Sequence, residues 1–358
     1  MMDERRTPML TAEAAIQMWH ASRLSVTKTY EMSPEIIKAN DSVIGTLGNF
    51  SASIGKAKSK KTFNVSAIVA AALMNDTVLR YTASLPDDKR RVLYVDTEQS
   101  SYHCQKVIKR ILRMCGLPED KDHENLEFLA LRKYSPEERI EITRQAIYNL
   151  SDVGLVIIDG IRDFVYDINS PSESTKIITL LMQWTDERQI HIHAILHQNK
   201  GDENARGHIG TELNNKAETV LLVEKDSQNH DISCVKSVHI RAMDFEPFAF
   251  RINSEALPEL LDGYVIGNRE GSKSKRQKFD PYADISEQHH RIALETAFSK
   301  QPTYGYNELT EALKEAYALI GIRLSNNKAS DLISMLKCKR MIVQNSSRKY
   351  SYNPDFVY

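Results

Sequence analysis

The 358-residue sequence predicts an α/β fold followed by a second, smaller domain. Between residues 41 and 267, short β-rich runs alternate with helical runs, which is typical of a parallel sheet joined by crossover helices. Late in this segment the runs at 219–224, 233–241 and 247–253 follow one another directly, so we expect terminal antiparallel hairpins. Residues 285–358 return to helical patterning and end in a short hairpin.

The composition is that of a soluble globular protein, with 41% hydrophobic and 27% charged residues. The apolar run at 67–74 is too short to cross a bilayer, and the first ten residues lack the apolar stretch of a secretory signal. Four cysteines are scattered without zinc-site spacing, which predicts reduced, mostly buried thiols in a cytoplasmic protein. They are Cys104, Cys115, Cys234 and Cys338.

The charge is unevenly distributed, although the net charge is only −1. Residues 268–358 hold 15 Lys and Arg against 10 Asp and Glu, whereas residues 1–267 hold 32 against 38. A mildly acidic body with a basic terminal module indicates that the module faces a polyanion.

Four zones follow from these patterns. Residues 1–40 form an N-terminal segment with one predicted helix at 11–22, and residues 41–267 form the α/β core. Residues 268–284 are polar, basic and without periodicity, so we predict a linker before the domain at 285–358.

The elements of the core are predicted from apolar runs and helix caps. Strands are predicted at 43–54, 91–96, 126–131, 155–159 and 192–197, and helices at 62–74, 135–150 and 171–189. Several of these strands are nearly unbroken apolar runs, as expected for strands covered on both faces. Ser135, Pro136 and Glu138 form a capping-box pattern at the start of one helix.

A phosphate-binding loop is predicted between the first strand and the apolar helix at 62–74. The segment GKAKSKKT has the strand–loop–helix context of GxxxxGK[ST], in which backbone N–H groups and the helix dipole favour an anion. Lys61 is expected to neutralise the β- and γ-phosphates and Thr62 to ligate Mg²⁺. The predicted nucleotide-binding residues are Gly55, Lys56, Ala57, Lys58, Ser59, Lys60, Lys61, Thr62 and Phe63.

Lys60 departs from this motif because it stands where the second glycine belongs. That glycine lets the backbone approach the phosphate without a Cβ in the way. Either the lysine distorts the loop or its ammonium group points outward. The alternative interpretation of the segment is a basic surface turn before a core helix.

Two carboxylates at strand ends extend the predicted site. Asp159 ends the apolar run LVIID and is expected to hold the magnesium ion, while Glu98 follows the run VLYVD and is expected to activate water. The carboxyl ends of parallel strands lie on one edge of a sheet, so these side chains and the phosphate loop should converge.

The order of these motifs resembles the RecA-like ATPase core, and most of all the RepA-type replicative helicases of plasmids and other mobile elements. The resemblance spans residues 41–255 and rests on the series GKAKSKKT, VLYVDTEQS, LVIIDG, AILHQNK and GHIGTELNNKAETV. It implies an ATPase that uses ATP and Mg²⁺ and assembles as a homo-oligomer, a hexamer in helicases of this type. It also implies that Glu98 is the catalytic base, that Asp159 is the Walker B aspartate, and that Gln198 beside His197 senses the γ-phosphate.

The resemblance further implies contacts with DNA and between subunits. The polar stretch at 199–211 corresponds to a loop that faces single-stranded DNA in the channel of a ring, with Lys200, Arg206 and His208 as candidate phosphate contacts. A solvated loop without a ligand is the alternative. Arg241 is the candidate arginine finger for a neighbouring subunit, with Arg206 as the runner-up; an ordinary strand-end salt bridge is the alternative.

Two histidines, His191 and His193, alternate along a predicted strand at a spacing that suits metal ligands. No carboxylate or cysteine completes the set, so we do not predict a metal site there.

The C-terminal domain resembles a winged helix, with helices predicted at 286–299, 307–319 and 326–337 before a hairpin. In that fold the third helix enters the major groove of duplex DNA and the wing meets the backbone. The corresponding phosphate contacts would be Lys328, Lys337, Lys339, Arg340, Arg348 and Lys349. The alternatives are that this domain binds protein or packs beside the ring.

The sequence therefore predicts a Mg²⁺- and ATP-dependent, DNA-associated ring helicase or helicase-like motor for replication or transfer of a mobile element. A nucleotide-gated DNA-binding regulator with slow hydrolysis is the second hypothesis, which Lys60 favours. A winged-helix initiator with a degenerate nucleotide fold is the third.

Overall fold

The structure is a computed structural model that describes residues 10–198, 207–264, 266, 281–282, 285–345 and 347–356. The chain divides into two compact units, residues 1–267 and residues 268–358. Among the described residues, every helix is too short or too polar to cross a bilayer.

The first unit contains six α-helices and thirteen strands among its described residues. The helices are α1 (Ala12–Ala21), α2 (Lys61–Met74), α3 (Ser101–Met114), α4 (Pro136–Asn149), α5 (Pro171–Arg188) and α6 (Gly207–Lys216). The strands are β1 (Glu35–Ala39), β2 (Ser42–Thr46), β3 (Phe50–Gly55), β4 (Thr77–Val78), β5 (Tyr81–Ala83), β6 (Arg91–Asp96), β7 (Leu126–Ala130), β8 (Val153–Asp159), β9 (His191–His197), β10 (Thr219–Lys225), β11 (Ile232–Ile240), β12 (Phe248–Ile252) and β13 (Pro258–Leu260).

A nine-stranded sheet organises this unit, in the order β13-β12-β11-β10-β3-β9-β8-β6-β7. The six strands from β10 to β7 in that order are parallel, and β11, β12 and β13 add antiparallel pairs at the β10 edge. All residues of β3 and β8 are buried, as expected for central strands covered on both faces. The predicted fold class, a parallel sheet with crossover helices and terminal antiparallel hairpins, is confirmed.

Two hydrophobic clusters cover the two faces of this sheet. Along β8, Leu155 and Ile157 belong to the cluster that contains α2, whereas Val156 and Ile158 belong to the cluster that contains α5. This alternation follows from the two-residue period of a strand. Trp184 of α5 is 1% exposed in the second cluster, so it is a core residue.

The single strand predicted at 43–54 is wrong. The chain turns between β2 and β3, where Gly48 has a φ of +81° and donates its N–H to the Ile190 carbonyl. Beyond the turn β3 enters the large sheet, whereas β2 joins a separate four-stranded sheet in the order β2-β1-β5-β4. β-rich composition on both sides of the turn made the two strands look continuous.

The capping box predicted for α4 is present. The Glu138 N–H donates to the Ser135 hydroxyl at 3.4 Å, and the Ser135 N–H donates to the Glu138 carboxylate at 2.8 Å. The helix therefore begins where its sequence pattern predicts.

The loop predicted at 199–211 is partly helical. Residues 199–206 lie outside the described part of the chain, but α6 begins at Gly207, which has a φ of +73°. A Cβ at this position would lie 2.6 Å from the Ile168 carbonyl oxygen, so only glycine fits the close approach.

The second unit contains α7 (Glu287–Lys300), α8 (Tyr306–Leu319) and α9 (Asn326–Cys338), followed by a hairpin of β14 (Ile342–Gln344) and β15 (Tyr350–Tyr352). Its core combines side chains from all three helices and the hairpin, including Leu294, Leu309, Leu332 and Tyr350. The three helices and the hairpin lie where the periodicity predicts them. Most of the predicted linker, at 268–280 and 283–284, lies outside the described residues.

Candidate nucleotide-binding site

The ends of four parallel strands bring the predicted site residues together. In the sheet register Gly55 lies opposite His197, and Asp159 lies opposite both Ile195 and Asp96. The carboxyl ends of β3, β9, β8 and β6 therefore form one edge, at which the phosphate loop leaves β3 and enters α2.

The phosphate loop is held tightly against the sheet at its first residue. A Cβ on Gly55 would lie 2.1 Å from the Val223 carbonyl oxygen, so no larger residue fits there without displacing β10. The Ser59 N–H donates to the Lys56 carbonyl at 3.2 Å and closes the turn. In the first turn of α2 the N–H groups of Phe63 and Asn64 donate to the Lys60 carbonyl, each at 3.1 Å, and the positive end of the helix dipole favours an anion at this point.

Lys61 lies across this loop with only 6% of its surface exposed. Its ammonium group donates to the Gly55 carbonyl at 2.7 Å and the Lys56 carbonyl at 3.0 Å, and lies 3.1 Å from His197 Nδ1. Burial lowers the pKa of Lys61 to about 8, against the opposing effect of the charges on Asp159 and Glu98. Phosphate oxygens can replace these neutral carbonyl acceptors and form stronger, charge-assisted hydrogen bonds.

Lys60 has a φ of +69°, which lies in the left-handed region that glycine, the usual residue of the motif at this position, adopts without strain. Its ammonium group donates to the Asp231 carbonyl in the turn that precedes β11. Burial lowers the pKa of Lys60, and the charge of Asp231 opposes that effect. The side chain therefore reaches toward the turn before β11, while the backbone of this N-cap residue is left-handed and not extended as in most helix starts.

Thr62 and Asp159 form the oxygen pair that was predicted to hold Mg²⁺. The Thr62 hydroxyl donates to Asp159 Oδ2 at 3.2 Å. Burial raises the pKa of Asp159 to about 7, and the nearby charges of Asp96 and Glu98 act in the same direction. A hydroxyl and several carboxylates crowded around Lys61 fit a hard divalent cation, which prefers oxygen ligands and would offset the excess negative charge.

Glu98 lies at the mouth of the site, with its Oε1 3.5 Å from His197 Nε2. The hydrogen bond from His197 lowers the pKa of Glu98, and the charge of Lys61 adds to this effect. A Cβ on Gly160 would lie 3.0 Å from Glu98 Oε1, so this glycine leaves room for the carboxylate. Glu98 is thus an ionised, half-exposed carboxylate in a position to accept a proton.

Gln198 follows β9 directly and is 7% exposed. The backbone N–H of Gln198 donates to the Gly55 carbonyl at 3.1 Å, the same oxygen that Lys61 contacts. The structure therefore places the predicted γ-phosphate sensor beside the first residue of the phosphate loop.

Sequence reasoning missed Asp96, which accepts hydrogen bonds from the turn that carries Glu98. Asp96 Oδ1 accepts the N–H groups of Glu98 at 3.0 Å and Gln99 at 2.7 Å, and Oδ2 accepts the Gln99 amide at 2.6 Å. Asp96 ends β6 in the motif DTE, so an aspartate that caps the following turn was a visible signal.

Tyr94 and Arg110 were also missed. The Tyr94 hydroxyl donates to Asp159 Oδ2 at 2.9 Å, and the Arg110 guanidinium lies 3.6 Å from the centre of the Phe63 ring. Tyr94 sits in an apolar run and Arg110 sits in an amphipathic helix, so neither pattern distinguishes a site residue from a structural one.

A cavity of about 380 Å³ lies between these groups. Its lining includes Lys58, Ser59, Lys60, Lys61, Thr62, Phe63, Glu98, Gln99, Arg110, Asp159 and His197.

Arg241 lies at the opposite edge of the sheet from this cavity. β11 starts beside Asp231, which Lys60 contacts, and runs antiparallel to β10 for nine residues before it reaches Arg241. At about 3.4 Å per residue this separates Arg241 from the phosphate loop by roughly 30 Å. Its guanidinium is exposed and donates to the Lys216 carbonyl at 3.3 Å, so it cannot reach Lys61 of its own chain.

The predicted channel residues are only partly described. Lys200 and Arg206 lie outside the described residues. His208 is exposed in the first turn of α6, so it lies on a helix instead of the predicted loop.

In the second unit, Lys328 and Lys337 lie on opposite flanks of the exposed face of α9, nine residues apart at 100° per residue. The ammonium groups of Lys337 and Lys339 lie 5.6 Å and 3.8 Å from the rings of Tyr350 and Tyr282. Arg340 is exposed after α9, and Arg348 and Lys349 are exposed in the turn between β14 and β15.

Comparison with known proteins gives one family match and one similar solved structure. Residues 26–203 match a family model described as an AAA domain. A solved structure described as the RadB recombinase is similar at 14% identity with a TM-score of 0.42, covering 59% of this chain and 90% of that chain. None of the curated proteins matches this chain. The part of the chain that matches the AAA-domain model contains the phosphate loop, Glu98 and Asp159.

Proposed function

We propose that this protein is a Mg²⁺-dependent ATPase that works on DNA as a homo-oligomer, in the manner of a RepA-type ring helicase or helicase-like motor. The observation that carries the proposal is the convergence of Lys61, the Thr62–Asp159 pair and Glu98 around one cavity at the start of α2. A lysine that can neutralise phosphate charge, an oxygen pair that fits Mg²⁺ and a carboxylate that can accept a proton are groups that ATP hydrolysis uses, and this supports the proposal.

In this proposal Lys61 exchanges its carbonyl acceptors for β- and γ-phosphate oxygens. Glu98 accepts a proton from a water molecule, whose oxygen bonds to the γ-phosphorus as the bond to the β-phosphate oxygen breaks. The products are ADP and inorganic phosphate. Thr62 and Asp159 would hold Mg²⁺, which when bound neutralises charge on the phosphates.

The DNA-associated role rests on the resemblance of the sequence and on the placement of basic groups. Gln198 lies between the phosphate loop and the segment at 199–206, so it is in a position to relay the state of the γ-phosphate to that segment. The second unit would act as a winged helix and bind duplex DNA through its basic side chains. Replication or transfer of a mobile element is the context that the resemblance suggests.

A nucleotide-gated regulator with slow hydrolysis is the second candidate, and Lys60 favours it. The hydrogen bond from Lys60 to the Asp231 carbonyl ties the phosphate loop to the turn before β11. A restrained loop of this kind would bind nucleotide but adjust slowly to the transition state.

Steady-state ATP hydrolysis with Mg²⁺, with and without single-stranded DNA, tests the proposal. We expect turnover that rises with DNA and falls at least about 100-fold in Lys61→Ala and in Glu98→Gln. The surface variants Lys38→Ala and Glu141→Gln are matched controls and should keep wild-type turnover, because both residues pair with exposed side chains. Turnover that is equal in wild type and both site variants would exclude the ATPase, and turnover that ignores DNA would favour the regulator.

A further inference from the structure

Tyr94 of β6 places a buried hydroxyl group beside Asp159 of the candidate magnesium site. The side chain is fully buried on β6, and its hydroxyl donates to Asp159 Oδ2 at 2.9 Å. Tyr94 lies opposite Ile157 of β8, and Asp159 comes two residues later on that strand, so both side chains project from the same face of the sheet.

The ring of Tyr94 is fixed independently of this hydrogen bond. It stacks on Phe128 of the neighbouring strand β7, with ring centres 4.4 Å apart and planes inclined by 10°. Because packing holds the ring, the hydroxyl approaches Asp159 from a constant direction.

Two donors converge on the same carboxylate oxygen. The Thr62 hydroxyl also donates to Asp159 Oδ2, at 3.2 Å. In the proposed function the Thr62 hydroxyl ligates Mg²⁺ through an oxygen lone pair and can still donate its proton to Asp159 Oδ2. Tyr94 is the second donor to Oδ2, and packing of its ring fixes the direction of its hydrogen bond, so that Oδ1 is left for the cation.

We propose that Tyr94 is a positioning residue that orients Asp159 for the magnesium–nucleotide complex. The inference rests on the proposed function, since it assigns to Asp159 a role toward Mg²⁺. Hydrogen bonds that orient a metal-holding carboxylate in this way typically affect metal affinity by about 10- to 100-fold.

The test compares the affinity of Tyr94→Phe for a fluorescent ATP analogue with Mg²⁺ and with EDTA. The variant keeps the ring and its stack on Phe128 and removes only the hydroxyl. We expect the affinity in EDTA to stay within about twofold of wild type, and the gain that Mg²⁺ provides to fall about tenfold. Because the gain is a ratio measured on one preparation, an inactive fraction cancels out.

Tyr81→Phe is the matched control. Its hydroxyl is equally buried and donates to Asn64 Oδ1 at 2.9 Å, without contact to Asp159. This variant should lose comparable stability in thermal unfolding but keep the full gain from Mg²⁺.

Three outcomes would overturn the inference. A normal Mg²⁺-dependent gain in Tyr94→Phe, or an equal loss of affinity with Mg²⁺ and with EDTA, would show that the hydroxyl is structural while the proposed function stands. A wild-type protein that binds the analogue under neither condition would refute the proposed function and the inference together.

Discussion

At the scale of single residues, Lys60 is the position at which this phosphate loop departs most from its motif. Its φ of +69° lies in a region that costs an L-residue roughly 1–2 kcal/mol. The hydrogen bond from its ammonium group to the Asp231 carbonyl offsets part of that cost. The contact with Asp231 therefore helps to hold Lys60 in a conformation that glycine would adopt without this strain.

Replacing Lys60 separates the backbone effect from the side-chain effect. Lys60→Ala loses the hydrogen bond and keeps the strain, whereas Lys60→Gly loses the bond and relieves the strain. We expect the glycine variant to be more stable than the alanine variant by about 1 kcal/mol in denaturant unfolding, with nucleotide affinity retained in both. Equal stabilities would contradict the left-handed conformation, and a loss of affinity in both would mean that the Lys60 ammonium itself contacts nucleotide.

At the scale of elements, the predictable parts are those whose signals are local. The buried run of β8 and the capping box of α4 depend on their own residues, so both were recognised. The boundary between β2 and β3 depends on a single glycine in a β-rich stretch, and the start of α6 depends on a close approach to Ile168. The contacts of Gly48 with Ile190 and of Gly207 with Ile168 leave no periodic pattern in the sequence.

The candidate site follows the same distinction. Lys61, Glu98 and Asp159 could be predicted because a parallel sheet brings the carboxyl ends of its strands to one edge, independently of the conformation of the loops. The contact between Tyr94 and Asp159 could not be predicted. It depends on the register between β6 and β8, which places the Tyr94 hydroxyl beside the Asp159 carboxylate.

Contacts between strands also explain why His191 and His193 are buried in β9, although their alternating spacing would suit metal ligands. Ser51 Oγ lies 2.7 Å from a ring nitrogen of each histidine, and Ser53 Oγ lies 2.8 Å from the second nitrogen of His193. Burial lowers the pKa of His193 to about 3, which keeps it neutral. These imidazoles join β3 to β9 through hydrogen bonds to Ser51 and Ser53.

β11 separates Arg241 from the phosphate loop of its own chain by its full length, and this leads to a prediction about assembly. If Arg241 completes the site of a neighbouring subunit, Arg241→Ala should lower turnover by about 1,000-fold. Mixing it with Lys61→Ala should restore activity, because some interfaces then combine an intact Lys61 with an intact Arg241.

The mixing experiment needs reassembly of the two inactive variants and a measurement of ATP turnover. Arg241→Ala mixed with Glu98→Gln should behave in the same way, while Lys61→Ala mixed with Glu98→Gln should stay inactive, since both residues belong to the same site. Mixtures that remain inactive in every combination would place Arg241 outside the catalytic site.

At the scale of the whole molecule, the first unit is acidic and the second unit is basic, as expected if the second unit binds a polyanion. The exposed face of α9 presents Ser330, Asp331 and Ser334 between the flanking Lys328 and Lys337. If this helix lies in a groove, the two lysines would face a phosphate backbone on each side, whereas the charge of Asp331 opposes such contacts.

The salt dependence of duplex DNA binding tests whether the turn between β14 and β15 acts as a wing. Each phosphate contact contributes about 0.9 to the slope of log affinity against log salt concentration, so Arg348→Ala combined with Lys349→Ala should lower the slope by about 1.8. Lys300→Ala combined with Lys314→Ala removes the same charge from α7 and α8, where both lysines pair with glutamates. The control should keep the wild-type slope; equal reductions in both double variants would mean that net charge, and not a wing, determines the binding.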